Sequence, residues 1–272
     1  MTGGGCWAIE VLDKFVRTEW REMHIKPGWD LGMILCYPGP LFSGLLNDNC
    51  NHHTLSDRFT RTSQKPPPRA GIYYTLGVGE VIVSDCPALD AFNVSAARYR
   101  GVRIAAGNGV ETAVVADADV IPEPAVVKQV IAQSSDRQLH LPYDRWRMLT
   151  SDGTSDFIAG KHWEDCAVDL DWTESIGGIF IMNVQSWIAL GGNDVGFKTW
   201  GCEDDAFILA AKALVGVTRH RGIAHHLWHP GDHYRVMHGP QWEHNMSLLD
   251  AYETASTNPD SMAALIRERQ RN

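Results

Sequence analysis

Two carboxylates lie one residue apart, directly after an apolar run in the middle of the chain. The run 113–116 ends at Asp117-Ala118-Asp119, and prolines follow at positions 122 and 124. Alternate residues of a strand point to the same side, so the two acidic side chains concentrate negative charge there. A hard divalent cation such as Mg²⁺ or Mn²⁺ would balance that charge. The spacing therefore predicts a metal site, with a turn and a helix N-cap as the alternative.

Two further groups of polar residues have types that suit chemistry. Glu203, Asp204 and Asp205 follow a glycine-rich segment, and the stretch "HHLWH" at 225–229 contains three histidines. A carboxylate at the start of a helix stays ionised because of the helix dipole, and it can then accept a proton as a general base. Imidazole nitrogens suit Mn²⁺ as ligands. The alternative for the three acids is a favourable helix start and nothing more.

Regular elements surround the first carboxylate pair. Apolar runs predict strands over 79–85 and 112–120, and helical patterns predict helices over 88–107 and 122–134. Apolar strands that alternate with helices indicate an α/β layer structure with parallel strands. In such sheets ligands bind at the carboxyl ends of the strands, where Asp85 and the pair at 117 and 119 lie.

The rest of the chain is less regular. The segment after residue 135 is polar and aromatic and predicts few strands. Residues 175–192 predict a strand that enters a helix, 203–216 a helix, and 222–230 a short strand that ends in histidines. Near the start of the chain we predict a helix over 6–23 and a strand within "LGMILCYPGP".

Composition limits the class of protein. The chain has 272 residues, of which 44% are hydrophobic and 21% charged, and its net charge is −9. This acidity argues against a protein that binds bulk nucleic acid or an anionic membrane. No apolar run suggests a membrane span, the first residues do not form a signal peptide, and the six cysteines include no CxxC pair. We therefore expect reduced thiols and a cytoplasmic protein.

Two polar stretches near residue 60 have a functional and a structural interpretation. The basic stretch 54–69 is either a solvated surface, which we favour, or a basic lip over a phosphate-bearing ligand. The stretch "CNHH" at 50–53 has the ligand types of a zinc half-site. No second Cys or His pair lies nearby at ligand spacing, so we do not predict zinc there.

Seven short elements together resemble a known family. They are "VIVSD", "FNVSAARYRG", "VVADADVIPEP", "IGGIFIMN", "GGNDVGF", "WGCEDDAF" and "HLWHP", between residues 80 and 230. Their order and spacing resemble GT-A-fold glycosyltransferases, specifically family-2-like enzymes with the C-terminal domain shared by β-1,4-galactosyltransferases and polypeptide GalNAc-transferases. The resemblance implies an α/β GT-A fold, Rossmann-like and nucleotide-sugar-binding, with a mixed central sheet. It also implies a divalent metal and a nucleotide-sugar donor, namely a UDP-sugar.

The resemblance assigns one group of residues to the donor. Asp85 resembles the acid that contacts the nucleobase, and Arg98 resembles an arginine near the nucleotide, although Tyr99 replaces the usual asparagine. Asp117 resembles the carboxylate nearer the ribose or sugar. Gly177 and Gly178 would let the backbone approach the donor sugar.

The same resemblance assigns the metal ligands. Asp119 matches the direct ligand, with Asp117 beside it, and His226 and His229 match the position that completes the metal site. The expected ion is Mn²⁺, or Mg²⁺ in its place.

The acceptor side is assigned in the same way. Trp200 and Gly201 belong to the binding pocket, where they would shape the acceptor side, and Glu203 would hold sugar hydroxyls. Asp204 matches the catalytic base. A single base that directs attack opposite the leaving group inverts the configuration of the sugar. The segment 139–148, with His140, Tyr143, Arg145 and Arg147, either lines the acceptor groove or forms a surface loop.

The sequence thus predicts a metal-dependent inverting glycosyltransferase, with a glycan, a protein or a modified DNA base as acceptor. The alternatives are a noncatalytic nucleotide-sugar- or carbohydrate-binding relative and a nucleotidyltransferase. We predict an N-terminal helical extension over 1–30, a catalytic domain over 31–240 and a C-terminal helical tail over 241–272.

Overall fold

The computed structural model describes seven ranges of the chain. They are 31–36, 80–84, 93–117, 119–133, 137–199, 201–229 and 239–271, the first two by their backbone alone. The predicted N-terminal helix, the basic stretch 54–69, the "CNHH" stretch, Asp85 and Trp200 lie outside these ranges.

Strands and helices alternate along the described residues. The strands are β1 Leu31–Cys36, β2 Glu80–Ser84, β3 Thr112–Asp117, β4 Val120–Pro122, β5 Leu139–Leu141, β6 Arg145–Leu149, β7 Val168–Trp172, β8 Ile179–Asn183, β9 Val217–Arg219 and β10 Ile223–His226. The helices are α1 Val94–Gly107, α2 Pro124–Gln133, α3 Ser151–Ile158, α4 Val184–Ala189, α5 Glu203–Leu214, α6 Pro240–Ala255 and α7 Pro259–Arg269.

The larger sheet contains six strands in the order β2-β1-β3-β8-β5-β9. Strand β1 pairs in parallel with β2 and β3, whereas β8 runs antiparallel to β3 and β5. The predicted α/β class with a mixed central sheet is confirmed. Because β1, β2 and β3 are parallel, their carboxyl ends meet at one edge, and Asp117 is the last residue of β3 there.

A smaller sheet holds β4, β10, β6 and β7 in that order. The predicted strand over 112–120 is therefore two strands, since β3 ends at Asp117 and β4 begins at Val120 in the other sheet. The change of sheet is fixed by backbone hydrogen bonds, in which the Asp117 N–H donates to the Gly178 carbonyl and the Leu227 N–H donates to the Asp119 carbonyl. The carboxylate pair thus lies where the two sheets meet.

The expectation of few strands after residue 135 is wrong. Strands β5, β6 and β7 all lie in that segment. In β6 the exposed Arg145 alternates with the buried Trp146, and the chain reaches buried Leu149 after an irregularity in the pairing with β7. The arginines obscure the apolar side of this strand in the sequence.

Helices α6 and α7 pack against α5. A second apolar cluster joins them, made of Phe197, Cys202, Ala206, Ala210, Leu249, Tyr252, Ala255, Met262 and Ile266. The predicted C-terminal helical tail therefore buries an apolar side against the helix that begins with the predicted catalytic acids. Among the described helices, none has the length and apolar character required to span a membrane.

Candidate functional site

Three predicted metal ligands lie together at the junction of the two sheets. Ligand atoms of Asp119, His226 and His229 all lie within 4.8 Å of one another. The Asp119 Oδ2 atom is 3.7 Å from His226 Nε2 and 3.5 Å from His229 Nε2. One carboxylate oxygen and two imidazole nitrogens form a donor set that fits Mn²⁺ better than Mg²⁺, because Mg²⁺ prefers oxygen ligands alone.

Strand pairing explains why these residues meet although more than 100 positions separate them in the sequence. Strand β10 pairs antiparallel with β4, and this register places His226 opposite Val120. Asp119 directly precedes β4, and its carbonyl accepts a hydrogen bond from the Leu227 N–H over 2.9 Å. The turn before β4 and the end of β10 are therefore fixed to each other by the backbone.

Arg98 connects the predicted donor carboxylate with the predicted base. Its side chain is buried, with 1% exposure, and comes from α1, whose Asn93 N-cap accepts a hydrogen bond from the Ala96 N–H. The Nη2 atom donates to both oxygens of Asp117, at 2.9 and 2.8 Å, and Nη1 donates to Asp204. The structure thus places Arg98 between two carboxylates of the site.

Asp117 is engaged by this arginine and is not a member of the three-residue cluster. Burial raises its pKa to about 7, and the positive charge of Arg98 opposes that rise, while Asp204 and Asp119 add to it. The site therefore concentrates negative charge, as the sequence spacing suggested, and a buried guanidinium supplies part of the balance.

Glu203 is the most enclosed acid of the predicted acceptor side. Its exposure is 9%, and its Oε2 atom accepts a hydrogen bond from the Gly201 N–H over 3.0 Å. Burial, followed by the nearby charge of Asp204, raises the pKa of Glu203 to about 8. A protonated carboxyl at this position can donate a hydrogen bond as well as accept one.

The two predicted glycines lie against the site, but they contact protein groups. A Cβ at Gly177 would collide with the Asp204 carboxylate, so only a glycine leaves space there for the predicted base. Gly178 lies against the Trp146 indole. The Gly177 carbonyl accepts a hydrogen bond from the Tyr143 hydroxyl over 2.6 Å, which fixes the backbone beside Asp204.

The segment 139–148 divides between core and surface. His140 and Tyr143 are buried, and Arg145 and Arg147 both form ion pairs with Asp171 on β7. Sequence reasoning did not assign Tyr143 as a support for Gly177. Its only signal was a tyrosine between Pro142 and Asp144 in a polar and aromatic stretch, which is too common to be informative.

One family model matches part of this chain. Residues 160–230 match the model described as the N-terminal domain of galactosyltransferase. The predicted resemblance to galactosyltransferases is confirmed. The matched segment contains Gly177, Gly178, Gly201, Glu203, Asp204, His226 and His229. Together with the mixed sheet, this galactosyltransferase-like segment supports the predicted GT-A type of α/β fold.

Solved structures are also similar to the chain. One is a mutant Drosophila β1,4-galactosyltransferase 7 in complex with manganese, UDP-Gal and xylobiose, with 16% identity, 70% coverage of this chain, 63% of that chain and a TM-score of 0.42. Another is GalNAc-T7 with UDP, GalNAc and Mn²⁺, with 11% identity, 90% and 55% coverage, and a TM-score of 0.43. The chain therefore spans less than two thirds of either structure. A sequence comparison with curated proteins finds no significant match.

Glu203→Gln is expected to change the pH dependence of stability in this galactosyltransferase-like chain. Since its pKa is raised from 4.5 to about 8, the folded chain keeps a proton that the unfolded chain loses. Wild-type stability should therefore fall between these values as pH rises, by up to about 1.4 kcal/mol per pH unit. Glutamine does not titrate, so urea denaturation in EDTA should show the variant gaining on wild type from pH 5 to pH 8.

Glu111→Gln is the matched control for this change. Glu111 is exposed before β3, so its variant should follow the wild-type pH profile. Parallel profiles for wild type and Glu203→Gln would contradict the raised pKa of Glu203.

Proposed function

We propose that this protein is a metal-dependent glycosyltransferase that moves a sugar from a UDP-sugar to an acceptor hydroxyl with inversion. The observation that carries the proposal is the metal-ligand cluster of Asp119, His226 and His229 beside the linked carboxylates Asp117 and Asp204. A metal centre next to a carboxylate that can act as a base is what displacement of a nucleoside diphosphate requires.

Asp119, His226 and His229 would hold the divalent ion, with Mn²⁺ as the expected metal. When bound, such an ion neutralises negative charge on the diphosphate leaving group as a Lewis acid. Asp117 ends β3, two residues before Asp119, and contributes charge beside the cluster, where Arg98 limits the repulsion. The choice of a UDP-sugar follows from the sequence resemblance.

Asp204 would accept the proton of the incoming hydroxyl. It lies in the first turn of α5, where the helix dipole favours a negative charge, and its carboxylate contacts Gly177 and Arg98. Arg98 donates a hydrogen bond to this carboxylate and orients it. A single base of this kind gives direct displacement and therefore inversion. Glu203, beside it, would bind sugar hydroxyls.

The test is acceptor-free hydrolysis of a panel of nucleotide sugars, with Mn²⁺ and with EDTA. We expect UDP release from one donor that depends on the metal. Release of UMP and a sugar phosphate would instead identify a nucleotidyltransferase. Donor binding without turnover, either with water or with a library of acceptors, would identify a noncatalytic relative.

Asp119→Ala makes the metal assignment testable within the same panel. Because the variant lacks the only carboxylate of the three-residue cluster, Mn²⁺ affinity and donor turnover should each fall at least about tenfold, in line with losses on disturbing metal sites. Asp156→Ala is the matched control, since exposed Asp156 pairs with Lys161 and not with the cluster. Unchanged Mn²⁺ affinity in Asp119→Ala, measured by calorimetry, would remove Asp119 from the metal site.

We propose the catalytic unit over residues 31–240, as the sequence predicted, with the tail over 241–272 packed on its helix α5. A cytoplasmic location stays a prediction from the sequence, which also leaves the acceptor open among a glycan, a protein and a modified DNA base.

A further inference from the structure

The backbone directly before the proposed base has an unusual conformation. Thr199, Gly201 and Cys202 have φ angles of 61°, 105° and 73°, in the left-handed region. Residues with a Cβ atom rarely adopt this region, and they persist there only where surrounding contacts hold them. Thr199 and Cys202 both carry a Cβ, so surrounding contacts must hold the chain here. The described residues 198–199 and 201–202 are named the entry segment.

Helix α6 supplies those contacts through Asn245. The side chain is fully buried, with 0% exposure. Its amide nitrogen donates to backbone carbonyls of the entry segment. Its Nδ2 atom donates to the Lys198 carbonyl over 2.8 Å and to the Gly201 carbonyl over 3.1 Å. Its Oδ1 atom accepts a hydrogen bond from the Lys198 N–H over 3.2 Å. Three hydrogen bonds from one buried amide therefore fix both ends of the turn.

Trp242, one turn earlier in α6, closes the same contact. A Cβ at Gly201 would collide with the Trp242 ring, so the helix and the entry segment approach as closely as glycine allows. This close approach leaves little freedom for the residues that precede α5.

A second anchor holds the chain just before the entry segment. Asp194 has a side chain with 8% exposure, and it accepts hydrogen bonds from Arg269 Nε over 2.7 Å and from the Tyr252 hydroxyl over 3.1 Å. Tyr252 belongs to α6 and Arg269 to α7. The two C-terminal helices thus hold the chain on both sides of Phe197, which is buried between them.

The entry segment connects directly to the proposed catalytic acids. The Gly201 N–H donates to the Glu203 carboxylate, and Asp204 follows and pairs with Arg98. A change in the backbone at Gly201 would therefore displace Glu203 and the start of α5. The metal cluster and Asp117 lie on other segments and would keep their positions.

We infer that Asn245 is a positioning residue for Asp204 and Glu203: it holds the strained entry segment in the conformation that presents both acids to the acceptor side. The inference rests on the proposed function for its catalytic part. The C-terminal tail accordingly helps to position the proposed catalytic acids, although it lies outside the segment that matches the family model.

The experiment compares Asn245→Ala with Asn258→Ala. Asn258 caps α7 by accepting hydrogen bonds from the Asp260 and Ser261 N–H groups, so both variants remove an asparagine amide from the tail. Amide exchange of Lys198 and Gly201 should become at least tenfold faster in Asn245→Ala and remain at the wild-type rate in Asn258→Ala. Acceptor-free UDP release by Asn245→Ala should lose at least tenfold in kcat, with the KM for donor within threefold of wild type.

Asn245→Asp is a second variant of nearly the same volume, which keeps the packing if the alanine variant does not fold. A carboxylate cannot donate to the Lys198 and Gly201 carbonyls, although it can still accept from the Lys198 N–H, so the amide exchange of Gly201 and kcat should change in the same direction as in Asn245→Ala. Wild-type exchange in both Asn245 variants would overturn the inference, and so would fast exchange with wild-type kcat. If wild type turns over no donor with water or with an acceptor library, the proposed function fails, and the exchange rates alone decide whether Asn245 holds the entry segment.

Discussion

Asp204→Asn is expected to abolish sugar transfer while the affinity for the donor stays close to that of wild type. The asparagine side chain has the same shape and can still accept a hydrogen bond from Arg98, so the local geometry should persist. It cannot take a proton from the acceptor hydroxyl. Loss of a positioned general base lowers rates by about 10²–10⁴-fold. Turnover with the donor identified in the panel, together with a donor titration in Mn²⁺, measures both quantities.

Asp205→Asn is the matched control for this variant. Asp205 is exposed in the same first turn of α5, so the control removes the same charge from the helix start without touching Arg98 or Gly177. We expect it to retain most of the wild-type turnover. Equal losses in the two variants would assign the effect to the helix dipole, and wild-type turnover by Asp204→Asn would remove Asp204 as the base.

The sequence named Asp119, His226 and His229 as candidate metal ligands, but not why they meet, and it also named Asp117, which lies outside their cluster. The motif order identified Asp119, His226 and His229 through a family resemblance. Their proximity depends on the antiparallel pairing of β10 with β4, two short strands about 100 residues apart. Pairing between distant short strands leaves no periodic signal in one sequence, because each strand reports only its own burial.

The partner of Arg98 was also beyond sequence reasoning. The resemblance places this arginine near the nucleotide, whereas the structure shows it bound to Asp117 and Asp204, 19 and 106 positions away. A buried arginine needs a buried carboxylate, but a chain with 33 acidic residues offers many candidates. Only the packing of α1 beside β3, which brings Arg98 within reach of the first turn of α5, selects these two.

Asn245 shows a similar limit. An asparagine inside a helix is mildly unfavourable, because its side chain competes for backbone hydrogen bonds, and that is the only sequence signal it gives. Its partners lie 44 and 47 positions earlier in the chain. In that segment Thr199 and Cys202 adopt left-handed backbone angles although neither is glycine, so the sequence does not mark the turn. Neither side of this contact is predictable without the fold.

Arg98→Met is expected to destabilise the protein strongly. Methionine fills a similar volume but leaves Asp117 and Asp204 without their shared cation at a buried position. Removal of one partner from a buried ion pair lowers the free energy of unfolding by about 3–5 kcal/mol. For a domain of this size that is a decrease in Tm of roughly 10 °C. Urea and thermal denaturation in EDTA measure the change, and donor turnover should be lost as well.

Arg145→Met is the control, because Arg145 also binds an aspartate through two hydrogen bonds. Its Nε and Nη2 atoms donate to Asp171 over 2.7 Å each, but its side chain is 46% exposed. Exposed ion pairs contribute little, so we expect a Tm close to that of wild type. The comparison separates the effect of burial from the effect of geometry. Equal changes in the two variants would mean that burial does not determine the contribution of Arg98.

The loss caused by Arg98→Met should also depend on pH. Arg98 lowers the pKa of Asp117 against the effect of burial, so its removal raises that pKa further above about 7. When a carboxyl has a raised pKa in the folded state, the protein loses stability as the pH rises from the pKa of the unfolded state towards the pKa of the folded state. The difference in free energy of unfolding between wild type and variant should therefore be larger at pH 8 than at pH 5. A difference that stays constant over this range would show that Arg98 stabilises the fold through packing and not through its charge.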